Sequence, residues 1–228
     1  MRKILFFMLV IALVSCAKEE ITPVADTQIE GLKGKVKSQV TTSSNSFFGL
    51  AGKHVTTYDE QGYKVSEELL IDESKTGEYT LLAKVEYVPY LNNSRSSKTY
   101  GADHKLYNMT TTKWLTNQSY SVVLENVKDK NFINIEEVSI DDKGGQVYIE
   151  SRNEYVDKSQ ENTKVRTKFL YDDRGYKISE KQSFNDDPYR EVKVINLAFD
   201  KQGNITKQKM VSDEVDANYE VEYIYEYY

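Results

Sequence analysis

The chain has 228 residues, 30 of them basic and 36 acidic, for a formal net charge of −6. No clustered basic stripe offsets that charge, which excludes the phosphate-binding footprint of nucleic-acid proteins and argues against lying flat on anionic lipid. Eighteen Tyr against three Pro and one Trp, with plentiful Thr, Val and Ile and no sustained 3.6-residue periodicity, predict strands rather than long helices or disorder.

The first element is a short basic start, Arg2 and Lys3, followed by an apolar run from Ile4 to Val14. The run is too short to span a bilayer and has the layout of a secretory signal. Leu13-Val14-Ser15-Cys16 closes it, and Cys16 is the only cysteine in the chain. This pattern resembles the lipobox of bacterial lipoproteins. The resemblance implies cleavage before Cys16 and acylation of its thiol, each buried methylene adding about 0.8 kcal/mol of membrane affinity. The competing reading is an ordinary signal peptide with a chance cysteine. Loss of residues 1–15 leaves 213 residues, enough for one all-β domain or two small ones, and a formal charge of −8. With Cys16 carrying lipid, no disulfide and no thiol nucleophile remain.

Ala17-Lys18-Glu19-Glu20 is strongly charged beside the anchor. It resembles the export signal that directs lipoproteins of Bacteroidota to the outer face of the outer membrane, and implies a surface-exposed, lipid-anchored protein. Residues 16–30 then read as a tether: Ile21 to Ile29 holds Pro23 and polar neighbours without alternation. About a dozen such residues reach at most some 45 Å. The folded domain is expected over residues 31–228, beginning at Gly31-Leu32-Lys33-Gly34.

From there one short pattern returns. Tyr58-Asp59-Glu60-Gln61-Gly62 leads into Tyr63-Lys64-Val65-Ser66-Glu67, and Tyr171-Asp172-Asp173-Arg174-Gly175 into Tyr176-Lys177-Ile178-Ser179-Glu180. These two segments differ at three positions. Looser copies occur at Ile140-Asp141-Asp142-Lys143-Gly144 and Phe199-Asp200-Lys201-Gln202-Gly203. A degraded fifth copy reads at Tyr100-Gly101-Ala102-Asp103-His104, where the final Gly is lost. The copies at 140, 171 and 199 begin 31 and 28 residues apart, and those at 58 and 171 lie 113 apart, close to four such periods. Asp opens a tight turn because its carboxylate accepts bonds from backbone just ahead, and Gly closes it at positive φ. The structural turn residues are therefore Asp59, Gly62, Asp141, Gly144, Asp172, Gly175, Asp200 and Gly203. Val165, Thr167, Phe169 and Tyr171 share one face of the strand entering the 171 turn, and Tyr176 and Ile178 alternate with Lys177 and Ser179 on the strand leaving it. The chain ends in an alternating aromatic and acidic strand from Tyr219 to Tyr228.

The Tyr-Asp-x-x-Gly tokens resemble the YD repeats of Rhs-type proteins. With the lipobox and the Gly-Leu-Lys-Gly opening, the whole resembles a YD-repeat-like lipoprotein of Bacteroidota. The resemblance implies serial antiparallel β-hairpins. The repeats are too few to enclose a toxin cargo as in large Rhs shells. The expected fold is all-β, a curled sheet or open barrel-like shell of hairpins in series.

Chemistry is sparse. His54 falls in a strand and His104 in a turn, and neither has a second His or Cys at ligand spacing, so no metal and no cofactor are expected. Asp141-Asp142, Asp172-Asp173 and Asp186-Asp187 invite a calcium or glycosidase reading, but the first two belong to the repeated turn. Trp114, Tyr107, Tyr120 and Tyr148, in the less repetitive middle, are the candidate ligand-binding residues, against the competing reading that they pack across strands. The segment Asn92 to Ser97 reads as a polar loop. The expected function is non-catalytic: an envelope protein held to the membrane through Cys16, structural or binding a glycan or protein. The alternatives are a displayed glycan hydrolase and a neutralising partner of a toxin or host factor.

Overall fold

The computed structural model describes residues 21–43, 51–73, 76–157, 160–212 and 217–228. The signal segment, Cys16 and the charged residues after it lie outside the described residues.

The described strands are β1 (Val36–Ser43), β2 (Ala51–Tyr58), β3 (Lys64–Asp72), β4 (Thr80–Tyr87), β5 (Ser94–Gly101), β6 (Leu106–Thr116) and β7 (Ser119–Asn126), followed by β8 (Phe132–Ile140), β9 (Gln146–Tyr155), β10 (Thr163–Tyr171), β11 (Lys177–Phe184), β12 (Arg190–Phe199), β13 (Ile205–Ser212) and β14 (Ala217–Tyr227). Each pairs antiparallel with its neighbour in sequence, and β1 pairs with β14, with Val40 opposite Ile224 and Thr41 opposite Tyr223. The all-β expectation holds, and the curled sheet closes on itself into a 14-stranded barrel. Closure removes the edge strands that would otherwise offer unpaired backbone to other chains.

The repeated turn explains how the hairpins are made. In the meander, the β2–β3, β4–β5, β6–β7, β8–β9, β10–β11 and β12–β13 connections all fall at one end, here called the near end. The four Asp-x-x-Gly copies are the β2–β3, β8–β9, β10–β11 and β12–β13 connections. In each, the Asp N–H donates to the carbonyl four residues on, and the Gly N–H donates back to the Asp carbonyl, at 2.8–3.1 Å. The Asp Oδ1 accepts two more backbone N–H groups, as Asp172 does from Arg174 at 3.0 Å and Tyr176 at 2.9 Å. Asp59, Asp141 and Asp200 repeat this arrangement. Gly62, Gly144, Gly175 and Gly203 hold φ between +84° and +91°, where a side chain is strained.

A β-bulge follows each turn. The register skips Val65, Val147, Ile178 and Thr206, each six residues after the turn Asp. The bulge corrects the expected alternation on β11: Ile178 does not continue the face of Tyr176 but is a bulge residue left 42% exposed. An extra residue placed there raises local twist, which helps a long sheet curl and close.

The degraded fifth copy has the same backbone form. Gly101 N–H donates to Lys105 O at 3.1 Å, His104 N–H donates to Gly101 O at 2.9 Å, and His104 takes the left-handed position at φ +58°. A bulge at Tyr107 follows. This turn joins β5 to β6, so it lies at the far end, out of phase with the others. The 113 residues between the two best copies are four near-end hairpin steps. The β4–β5 and β6–β7 connections carry different turn chemistry, and no long insertion separates the copies. Ser94–Ser97 belongs to β5, which corrects the expected loop at Asn92–Ser97; only Asn92 and Asn93 form a turn, Asn92 at φ +56°.

Side chains alternate between the lumen and the outer wall. The outer wall carries cross-strand ion pairs: Lys207 with Glu220 and Glu222, Arg152 with Glu137, Lys181 with Glu191, and Lys37 with Glu226. The same wall also exposes Leu170, Ile195, Leu197 and Ile224.

Candidate functional site

A barrel of eight strands is just wide enough for its own side chains to fill, so one of fourteen needs something else inside it. The segment from Ile21 to Lys35 supplies it. This corrects the tether expectation, because the segment crosses the near-end mouth and is bonded to the wall at several points around it. Thr22 N–H donates to Asn117 Oδ1 at 3.2 Å, and Tyr63 O–H to Pro23 O at 2.9 Å. Thr27 N–H donates to Gly62 O at 3.0 Å, and Gln28 Nε2 to Lys143 O at 3.1 Å. At its end Lys33 N–H donates to Asn204 Oδ1 at 2.6 Å, while Asn204 Nδ2 donates to Lys33 O at 2.8 Å. Asn204 is buried.

Midway, a single helical turn, α1 (Asp26–Ile29), carries the strongest contact. Arg95 Nη1 and Nη2 each donate to an Asp26 carboxylate oxygen at 2.7 Å. Both side chains are at most 10% exposed. The Arg95 guanidinium also lies 4.7 Å from the ring centres of Tyr87 and Tyr90. Lys64 N–H donates to the same Asp26 carboxylate at 2.7 Å, and Lys64 Nζ pairs with Glu30 at 2.8 Å and Glu67 at 2.7 Å. Tyr58 O–H donates to Glu30, and Tyr87 O–H to Glu67. Burial opposes the Lys64 charge, yet the two carboxylates outweigh it and hold its pKa well above the ordinary value. Burial likewise opposes Glu67, and Lys64 with its hydrogen bonds outweighs that and holds Glu67 below 4.5. Burial depresses His54, whose Nε2 lies 3.6 Å from Glu67.

The apolar side of the plug seals the other half of the lumen. Ile21, Val24 and Ile29 pack against buried Trp114, Tyr120, Val138 and Ile140. Trp114 and Tyr120 rings meet at 4.9 Å, and Trp114 Nε1 donates to Tyr90 O–H at 3.2 Å. Burial pushes the Tyr120 hydroxyl up to about 12.

Between the plug and the wall that runs from the β8–β9 turn through β14 to β1 lies a cavity of ≈ 520 Å³. Rings of Phe169, Tyr171, Tyr223 and Tyr225 and the amides of Gln39, Gln146 and Gln208 form its walls, and Lys143, Arg174 and Gly175 reach it from the rim. The hydroxyls are already committed: Tyr171 O–H donates to Gln146 O at 2.7 Å, Tyr223 O–H to Gln208 Oε1 at 2.7 Å, and Tyr225 O–H to Ile205 O at 2.9 Å. Burial pushes Tyr171 and Tyr223 up to about 12, so all remain neutral hydroxyls at physiological pH. The amides are bonded too, Gln146 Nε2 donating to Tyr120 Oη at 2.9 Å, Gln208 Nε2 to Asn196 Oδ1 at 2.7 Å and Gln39 Nε2 to Tyr225 Oη at 3.3 Å, so the wall presents flat ring faces at fixed angles beside amide oxygens that keep lone pairs for accepting. Its acids are engaged in structure, Glu30 with Lys64 and Asp141 with the backbone of its own turn.

The four aromatic candidates from the sequence are not brought together. Trp114 is fully buried and Tyr120 is 8% exposed, both in the core under the plug. Tyr107 stands at the far end with Lys128 Nζ 4.5 Å from its ring centre. Tyr148 faces out from β9 and donates to Glu150 at 3.1 Å. Of the paired acids, Asp141 and Asp172 accept backbone N–H groups in their turns, and Asp186 pairs with Arg166 on the surface at 3.1 Å. Among the described residues no group of three or more His, Cys, Asp or Glu is placed to hold a metal ion. Arg95, Lys64 and Glu67 went unnoticed in the sequence, as did Gln39 and Gln208. The shared face of Phe169 and Tyr171 and the aromatic alternation that holds Tyr223 and Tyr225 are the sequence signals for the cavity wall. No protein-family model matches the chain, and no curated protein or solved structure matches it.

Proposed function

We propose that this is a non-catalytic binding protein of the bacterial envelope, held to the outer membrane through Cys16, that takes a small hydroxylated ligand of glycan type in its lumen. The observation that carries the reading is the cavity beside the plug. Its volume, ≈ 520 Å³, is in the range of small-molecule sites. Ring faces match the C–H patches of a sugar, and the amide oxygens beside them match its hydroxyl donors. The recurring Asp-x-x-Gly turns support the kinship with YD-repeat lipoproteins of Bacteroidota.

The test is an array of envelope glycans and short oligosaccharides probed with the detergent-solubilised full chain, followed by titration of any hit. The reading expects saturable binding that weakens by roughly tenfold in Tyr223→Ala, the upper end of one ring contact. Binding that survives Tyr223→Ala unchanged contradicts the site. New reducing ends released from a bound glycan contradict the non-catalytic reading and favour a displayed hydrolase. A stoichiometric protein co-purifying in place of any glycan would favour the neutralising partner.

A further inference from the structure

Residues 58–67 and 171–180 are near-identical copies of one segment, and each stands a Lys–Glu pair on the inner face of the wall. Lys64 Nζ pairs with Glu67 at 2.7 Å, and Lys177 Nζ with Glu180 at 3.3 Å. The bulges at Val65 and Ile178 put these residues, three apart, on one face. The copies beginning at 140 and 199 lack the pair, with Gln146 and Ile149, and Ile205 and Gln208, at its positions. What separates the two best copies is the third partner. Lys64 also pairs with Glu30 of the plug at 2.8 Å, and Tyr58 O–H donates to that same carboxylate. Lys177 and Tyr171, their counterparts, line the cavity instead. The Lys177 side chain is 32% exposed, against 19% for Lys64.

We propose that the ligand of this cavity is an acidic glycan, and that the carboxylate of a uronic acid unit sits on Lys177 as Glu30 sits on Lys64. The proposal rests on the reading of the cavity as a glycan site and adds the charge of its ligand. The other charged groups of the lining agree with it. Four cations, Lys33, Lys143, Arg174 and Lys177, face two acids, Glu30 and Asp141. Both acids are already answered, Glu30 by Lys64 and Asp141 by the backbone of its turn. Arg174 is answered by Asp172 at 3.0 Å, whereas Lys33 Nζ donates to a hydroxyl, Tyr176 Oη, at 2.5 Å. A carboxylate entering here meets Lys177 away from bulk water, where a charged hydrogen bond is worth more than on a surface. Tyr171 O–H, bonded to Gln146 O, would exchange that carbonyl for a charged acceptor, as Tyr58 has in Glu30.

Titration calorimetry of the detergent-solubilised full chain with three probes tests this: trigalacturonate, its methyl ester, and galactotriose. The ester keeps the shape of the acid without its charge. Trigalacturonate is expected to bind roughly tenfold more tightly than either neutral probe, the worth of one hydrogen bond to a charged group. Lys177→Gln is expected to remove that margin and leave the neutral probes unchanged, while Lys177→Arg retains it. Glu180 keeps its bond from Gln182 Nε2 at 2.8 Å, and the double variant Lys177→Gln with Glu180→Gln, which strands no charge, is expected to match Lys177→Gln. Equal affinity for acid and ester overturns the inference and leaves the glycan site standing. A margin that survives Lys177→Gln does the same. If the parent binds neutral glycans of the array and no acidic one, the inference falls alone; if it binds no glycan at all, it falls together with the reading of the cavity.

Discussion

Arg95 and Asp26 show what a single buried pair does in this fold. Two charge-assisted bonds at 2.7 Å hold the plug's helical turn to β5, and Lys64 N–H adds a third to the same carboxylate. Removing one partner strands the other charge in a dry site, a loss of about 3–5 kcal/mol. Arg95→Met is therefore expected to lower unfolding free energy by that amount in urea titration. The double variant Arg95→Met with Asp26→Leu is expected to recover part of it, since it removes both charges. Glu67 gives the pair network a pH dependence. Its folded pKa lies below 4.5, so its contribution is present above pH 4.5 and is lost as pH falls through the lower folded value. Lys64, with its pKa raised, contributes fully below pH 10.5 and loses that contribution only at higher pH. Thermal melts across the acid range are expected to show Glu67→Gln flatter than the parent below pH 4.5. Parallel curves would contradict the assignment. None of these residues was legible in the sequence. Ser94-Arg95-Ser96-Ser97 reads as a loop because its inward residue is an arginine, and the carboxylate that makes an arginine suitable there lies 69 residues away.

The turn is the element that was legible, because its chemistry is local. Asp binds backbone two and four residues ahead, and Gly supplies the positive φ, both within five residues of sequence. The bulge after the turn was not legible, since its skipped residue is apolar in three of the four near-end copies and looks like strand. The second role of the tips was hidden as well. A Cβ on Gly62 would collide with Thr27 Oγ1 of the plug, and one on Gly144 would come within 2.8 Å of Gln28 Cγ, whereas one on Gly175 meets nothing within 4 Å. Gly175→Ala should thus cost only backbone strain, about 1–2 kcal/mol. Gly62→Ala should cost more, by roughly another 1–3 kcal/mol of overpacking, and should loosen the plug. Equal losses in urea titration of the two variants would show that Gly62 does not seat the plug.

At the scale of the whole molecule, hairpins laid in series determine a closed wall, and the wall's girth determines the need for a filling. The sequence carried the first statement through its turn spacing. It could not carry the second, because closure and filling depend on pairs such as Val40 with Ile224 and Lys33 with Asn204, far apart in the chain. Ile21–Ile29 lacks alternation because it is neither strand nor linker: its order comes wholly from the wall around it. The cavity follows from that architecture. The most direct measurement is amide hydrogen exchange of residues 21–35 in the native chain. The account predicts that the N–H groups of Thr27, Leu32 and Lys33, each bonded within the plug or to the wall, exchange as slowly as those of β5 and β13 and unprotect together with them. Exchange of these amides at unprotected rates, while the strands remain protected, would contradict it.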